Sequence, residues 1–330
     1  MSSDSRTAEA FASSWNNLPA GSVYTTDQFE DWLAPVTRID VEGRSVLELG
    51  CGNGSLLVHM AAWRPAKLEG VDLGASVVSA TGNMRQAGAS DWRVVKGDLT
   101  TYRSDAVAQF DFVYCIGVLH HLKQPKAGLD SVVRNTAPGG RFHCWVYGRE
   151  GNGLVIAVVE PVRAIASKLP WWVTKYLIAT PLVTPYFFYA KMLRLLSNVL
   201  PRGVLGVLPL YDYSLWIAKR GFLFFRHVAF DQLVTPQTVY VRRAEIEAWL
   251  AGYEGIEPGS AYLIQRNGNS WKFGARKSGA ALNGLSNPAT PNASVNPATQ
   301  IPSANRATPM QSATSAIPNP SANPATEPRP

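Results

Sequence analysis

The sequence predicts an α/β fold: a doubly wound, mostly parallel sheet closed by an antiparallel C-terminal hairpin, with a helical insertion or lid. Three observations predict it. Short apolar runs alternate with helix-length segments over residues 46–147, the pattern that puts helices on both faces of a parallel sheet. Two later strand-like runs, 257–265 and 271–275, are joined by Arg266-Asn267-Gly268-Asn269-Ser270, and Asn-Gly is a hairpin turn. Between them, residues 151–230 are rich in Leu, Val, Trp, Tyr and Phe and are interrupted repeatedly by proline. The chain therefore divides into an N-terminal cap (1–40), an alternating core (41–150), an apolar cationic helical insertion (151–240), a helix and hairpin completing the core (241–277) and a low-complexity tail (278–330).

The cap carries Trp15, Tyr24, Phe29, Trp32 and Leu33 among polar positions, which suggests short helices lying over the core, either across a crevice or against the sheet edge. The core opens with Val46-Leu47-Glu48-Leu49-Gly50-Cys51-Gly52-Asn53-Gly54, a buried strand running into a glycine-rich turn, then a helix over 53–63 that stops before Pro65. The glycines let the backbone turn sharply and approach a ligand. The first N–H groups of the helix lack intrahelical partners and favour a negative group at the carboxyl end of the strand. A second strand, 68–72, ends in Asp72, and a helix over 76–87 follows with Ser76 as its N-cap. A third strand, 92–95, leads to Gly97-Asp98-Leu99, and a fourth, 110–114, to Cys115-Ile116-Gly117. After a helix over 126–135, Pro138-Gly139-Gly140 turns the chain into a fifth strand, 142–147. In such a sheet a ligand lies over the strand ends, where these loops converge.

A glycine trio alone does not separate dinucleotide enzymes from other nucleoside binders. Glu48, two residues before the first glycine, and Asp72, at the spacing of a ribose-binding acid, complete a motif that resembles the first motif of the class I S-adenosylmethionine-dependent methyltransferases, in the bacterial type 11 group. Leu119-His120-His121 and Pro138-Gly139-Gly140 add to the likeness, which covers about residues 41–147 and, more loosely, the hairpin. The resemblance implies S-adenosylmethionine as cofactor. Glu48, Gly50, Cys51, Gly52, Asn53 and Gly54 would hold its amino-acid end, Asp72 and Leu73 the ribose, Asp98 and Leu99 the adenine, and Cys115, Ile116 and Gly117 the methionine part. Asp72 suits two hydroxyls because a carboxylate only accepts hydrogen bonds. An ordinary turn acid remains the alternative for Asp72 and for Asp98.

Methyl transfer needs the acceptor aligned with an already activated carbon, and a base only where the acceptor has a proton to lose. His120 and His121 are candidates for that base, or they shape the crevice. His227, with Asp231 as orienting partner and Tyr240 nearby, is a second candidate; the alternative is a polar network docking the insertion on the core. Arg266, Asn267 and Asn269 could face the acceptor or simply make the turn.

The insertion sets nine basic residues, Arg163 to Arg226, against Glu160 and Asp212 over 151–230. Its longest uncharged run, 176–190, is broken by Pro181 and Pro185 and is too short to span a bilayer. Its residues 154–226 could make peripheral contact with an anionic membrane while enclosing a large apolar acceptor; a helical subdomain or dimer surface with solvated charges is the other reading. The hydrophobic share of 46 % and net charge of +7 describe a globular, basic chain, without the clustered charge of a nucleic-acid interface. Cys51, Cys115 and Cys144 lack metal-ligand spacing and read as reduced thiols, so no metal is expected. The first twelve residues lack a secretory pattern, and the location expected is cytoplasmic, with or without contact at the membrane surface. The tail, rich in Ala, Asn, Pro, Ser and Thr, lacks the apolar content to fold.

The function expected is methyl transfer to a small-molecule or lipid-like acceptor, oxygen favoured, with no nucleic-acid partner. A non-catalytic cofactor-binding scaffold and an NAD-dependent oxidoreductase are the alternatives; the closing hairpin speaks against the second, which would continue with another parallel unit.

Overall fold

The computed structural model describes residues 24–279. Strands β1 (Ser45–Leu49), β2 (Lys67–Asp72), β3 (Trp92–Lys96), β4 (Phe110–Ile116), β5 (Thr136–Tyr147), β6 (Tyr262–Arg266) and β7 (Ser270–Arg276) form one sheet in the order β3-β2-β1-β4-β5-β7-β6. The first five are parallel, and β7 runs antiparallel to both β5 and β6. This is the mostly parallel sheet with a closing hairpin that the sequence predicts. Asn267 and Gly268 both adopt positive φ, 51° and 68°, at the turn, as a hairpin loop demands.

Side chains alternate along each strand, so the sheet carries two cores. On one face Val46, Phe112, Tyr114 and Ile116 pack with α1 (Thr26–Leu33), α2 (Arg38–Val41) and α3 (Ser55–Ala62). On the other, Leu47, Leu49, Val113 and Cys115 pack with α5 (Pro125–Asn135) and α11 (Arg243–Ala251). Each fully buried side chain of this size contributes ~1.5–3 kcal/mol. Phe29 of α1 meets Trp63 edge-on at 4.8 Å and stacks on His59 at 5.5 Å. That part of the expected cap therefore packs on the core; Trp15 and the rest of residues 1–23 lie outside the described residues. The tail lies outside them too, apart from residues 278 and 279.

Several boundaries differ from expectation for local reasons. Helix α3 starts at Ser55 rather than Asn53, because Gly54 takes a left-handed φ of 77°. Ser76 precedes α4 (Val77–Gln86), but its hydroxyl does not cap the helix: it donates to Asp72 Oδ1 at 3.0 Å. Strand β5 begins at Thr136, absorbing Pro138-Gly139-Gly140 where its pairing with β4 shifts register. Strand β6 begins only at Tyr262, after a turn in which Gly259 has φ 76°.

The insertion is helical, as expected: α6 (Gly153–Ala166), a π-helical stretch (Val173–Ala179), α7 (Thr180–Leu196), α8 (Arg202–Leu205), α9 (Tyr211–Ala218) and α10 (Phe222–Val234). The breaks expected at Pro181 and Pro185 do not occur. Pro181 sits in the first turn of α7, where no N–H is missed, and Val183, Tyr186, Phe187 and Ala190 pack against α9 and α10, which holds the helix through Pro185. Among the described residues no helix is long and apolar enough to cross a membrane. Arg163, 2 % exposed, ties α6 to α10 by donating from Nε to the Gln232 carbonyl at 2.6 Å while pairing with Glu160. Asn152 joins the insertion to the hairpin, its Nδ2 donating to the carbonyls of Gly148 at 2.7 Å and Asn269 at 2.6 Å.

Candidate functional site

The loops leaving the carboxyl ends of β1, β2, β3 and β4 converge on one cavity of about 490 Å³. Gly50, Cys51, Gly52 and Asn53 line it from the first loop, Asp72 and Leu73 from the second, Asp98 and Leu99 from the third, Ile116 and Gly117 from the fourth. Two predicted positions are elsewhere. Gly54 is the N-cap of α3, where a Cβ would stand 3.0 Å from Ala80. Cys115 is fully buried in the core on the α5 side, because β4 runs two residues further than expected, to Ile116, and the alternation turns the Cys115 side chain away from the cavity.

Glycine is required at position 50, where φ is 85° and a Cβ would lie 2.5 Å from Val118 Cγ2. The N–H groups of this loop are mostly engaged locally: Gly50 and Cys51 donate to the Val71 carbonyl at 2.7 and 2.9 Å, Gly54 to the Cys51 carbonyl at 2.8 Å. Gly52 donates to Asp72 Oδ2 at 2.9 Å. The turn is thus closed on the end of β2; the Ser55 N–H donates to Asn53 Oδ1 at 3.2 Å, and among the described residues the donors left for a ligand are those of Asn53 and of the opening turn of α3 after Ser55. Fewer main-chain donors face the crevice than the sequence suggests.

Asp72 also accepts at Oδ1 from the Gly74 N–H, 2.8 Å, and the Ser76 hydroxyl, 3.0 Å. A carboxylate offers about four acceptor positions, so this arrangement leaves one, at Oδ2. Asp98 is exposed and accepts at Oδ1 from Thr100 N–H and hydroxyl at 2.8 and 2.7 Å. Glu48, 1 % exposed at the cavity floor, accepts from the Tyr114 hydroxyl at 2.9 Å. Burial pushes its carboxyl up to about 8 against the opposing effect of that hydrogen bond, with the Asp72 charge adding to the rise.

Of the two adjacent histidines, His121 lines the cavity, with Nδ1 3.1 Å from the Gln237 carbonyl. His120 is fully buried behind it and packs on Tyr147 at 4.1 Å. Both stay neutral, because burial holds His120 well below its ordinary value and His121 at about 4. In α10 the expected order, histidine in front and acid behind, is reversed. Asp231 lines the cavity, while His227 stands behind with Nε2 3.2 Å from Asp231 Oδ2. Burial, reinforced by Lys175, holds His227 at about 4 despite the neighbouring acid.

The rest of the wall comes from distant segments. Tyr24, Gln28 and Trp32 arrive from the cap, Trp145 and Tyr147 from the end of β5, and Val155, Val159, Leu182, Tyr213 and Val228 from the insertion. Arg266 and Asn269 of the hairpin also line it, whereas Asn267 serves the turn. Arg266 is anchored by Nε donating to Asp31 at 2.7 Å and lies 5.3 Å from the Trp216 ring, so one side chain binds cap, hairpin and insertion together. Apolar side chains at the ends of β4 and β5 were the available signal for Trp145 and Tyr147, and the cap aromatics for Tyr24 and Trp32; nothing local marked Gln28. Among the described residues no group of acids, histidines or cysteines could hold a metal ion, and the three cysteines are free and buried.

A family model described as a methyltransferase domain matches residues 24–176. Ubiquinone biosynthesis O-methyltransferase of Paracidovorax citrulli is 30% identical over 130 residues, 39% of this chain and 52% of that protein. The enzyme of the same name from Pseudomonas fluorescens is 28% identical over 124 residues, covering 37% and 52%. The chain thus spans about half the length of these relatives. Among solved structures, magnesium protoporphyrin IX methyltransferase from Synechocystis with bound S-adenosylhomocysteine gives a TM-score of 0.43 at 15% identity, over 77% of this chain and 82% of that one. Residues 24–176 thus match a methyltransferase domain, and they carry the strand order that the sequence motif led us to expect.

Proposed function

We propose that the chain transfers a methyl group from S-adenosylmethionine to a hydroxyl oxygen of an apolar, lipid-like small molecule. The carrying observation is a single cavity whose wall includes both the glycine turn with Asp72 and the apolar side chains of the insertion, with Asp231, His121 and Tyr240 as polar groups in it. The names of the two O-methyltransferase relatives support oxygen as the atom modified.

The residues present fit the cofactor. Gly52 lines the cavity, and a Cβ there would meet nothing within 4 Å, so the loop leaves room where a ligand must lie close. Asp72 keeps an acceptor position for a ribose hydroxyl, and Leu99 and Ile116 offer apolar contact. When bound, the cofactor supplies a methyl carbon activated by a positive sulfur. The protein's part is to hold the acceptor oxygen in line with that carbon and keep water out. Asp231 would take the proton that the acceptor hydroxyl loses on methylation, with His227 positioning the carboxylate. Asp231→Asn is expected to lower turnover by about 100-fold or more with S-adenosylhomocysteine affinity unchanged. The assay follows labelled methyl groups into an apolar acceptor extract; unchanged turnover would remove Asp231 from this role.

Glu48 adds a pH signature. Its raised value leaves it protonated at neutral pH in the free protein, and a cation bound beside it favours the ionised form. Cofactor affinity should therefore rise with pH toward about 8, by up to about tenfold per unit. Calorimetric titrations of wild type and Glu48→Gln test this: the variant's affinity should lack that component, and identical pH profiles would contradict it.

A further inference from the structure

We infer that the outer face of the insertion docks on an anionic lipid bilayer, beside the mouth of the cavity. Among the described residues, all but three of the large apolar side chains that stand well open to solvent belong to the insertion, the exceptions being Ile39, Val78 and Ile264. On α7 they form a stripe. Pro181, Pro185, Phe188, Met192 and Leu195 are exposed at helical spacing, Phe188 and Leu195 each at 69%, while Val183, Ala190 and Leu193 on the opposite side are buried. The stripe continues past the helix in Val199, 82% exposed. Monomeric proteins rarely leave contiguous apolar surface of this kind bare.

Charge decides what covers it. Residues 151–240 carry nine Lys and Arg against Glu160, Asp212 and Asp231, and among the described residues only Arg163 and Arg202 of the nine are in ion pairs with acids. Lys168, Lys191, Arg194 and Lys219 are exposed around the apolar face. A second copy of the chain would set this positive surface against itself, whereas an anionic bilayer takes the apolar stripe and the cations together. Trp171 and Trp172, 42% and 51% exposed with Lys175 Nζ 5.8 Å from the Trp171 ring, have the amphipathic character found at headgroup level. Leu154 and Val158 of α6 are both exposed and part of the cavity wall. The cavity therefore reaches the surface on the insertion's side, and an apolar molecule can pass from bilayer to cavity without crossing water.

The docking does not depend on methyl transfer, and its test reads no turnover. The full chain is sedimented with vesicles of phosphatidylcholine alone or mixed with phosphatidylglycerol, at low and high salt. A Phe188→Glu, Leu195→Glu double variant, neither residue lining the cavity, is compared after its melting temperature and S-adenosylhomocysteine affinity are shown to match wild type. The expected result is binding to the anionic vesicles that falls at least about tenfold in the variant, in high salt and on neutral vesicles. Wild type left in the supernatant, or a variant that binds equally, overturns the inference. So does an equilibrium-sedimentation dimer that the double variant converts to monomer, since a second copy would then be the partner.

Discussion

Asp72→Ala is expected to weaken S-adenosylhomocysteine binding on the order of 100-fold, with the chain still folded. Two losses combine. The acceptor position left at Oδ2 disappears, and a hydrogen bond to a charged group is worth ~1.5–3 kcal/mol. The anchors holding the Gly52 and Gly74 N–H groups and the Ser76 hydroxyl go with it, so the glycine turn is held to the end of β2 only through Gly50 and Cys51. Asp72→Asn sharpens the test: its amide nitrogen must face one set of these donors and cannot accept, so it should also bind weakly despite its shape. Asp72 is half-buried at the very end of β2 rather than in the core, so melting should shift little. Calorimetry on both variants checks this, and wild-type affinity in either would contradict the assignment.

Acid should destabilise the fold steeply. Burial lowers His120, His121, His143 and His227 from their ordinary value, to about 4 for His121 and His227 and about 3 for His143. His143 shows why: its ring is fully buried on β5, and burial outweighs the opposing effect of the Trp32 carbonyl, 2.8 Å from Nε2, with Lys272 and Arg141 adding to the fall. The unfolded chain protonates these rings as pH falls through about 6.5, while the folded chain does not. The unfolded state then binds more protons, and stability falls with pH by up to ~1.4 kcal/mol per unit for each ring until the folded values are reached. Glu48 works the other way. Its raised carboxyl favours the fold below the unfolded value and loses that contribution as pH rises to about 8. Four histidines against one carboxyl leave a net slope on the order of 4 kcal/mol per pH unit between about 6 and 5. That is a large share of the ~5–15 kcal/mol by which domains are stable. Urea melts at pH 7.5, 6 and 5 read it directly, and a flat profile would mean that these rings are not held neutral.

The sequence made the core legible because its information there is local. Val46, Leu47 and Leu49 must be covered on both faces, Gly50 must turn left-handed, and Asn267-Gly268 must reverse the chain, each within a few residues. The cavity wall was only half legible for the opposite reason. Tyr24, Tyr147, Asp231 and Arg266 are brought together by sheet order and by the insertion folding back, and no short-range pattern carries that information. Cys115 was misplaced because β4 runs on to Ile116, which puts this residue inside the strand with its side chain in the α5-side core. The apparent break at Pro181 failed because it falls in the first turn of α7, and that at Pro185 because packing on α9 and α10 outweighs a single missing N–H.

The most direct test is a thermal melt of the full chain with either S-adenosylhomocysteine or NADH at about 100 times a micromolar dissociation constant. Binding at that excess adds ~2.7 kcal/mol, which should raise the midpoint by about 5 °C or more with S-adenosylhomocysteine and leave it unchanged with NADH. A rise with NADH, or none with S-adenosylhomocysteine, would contradict the account.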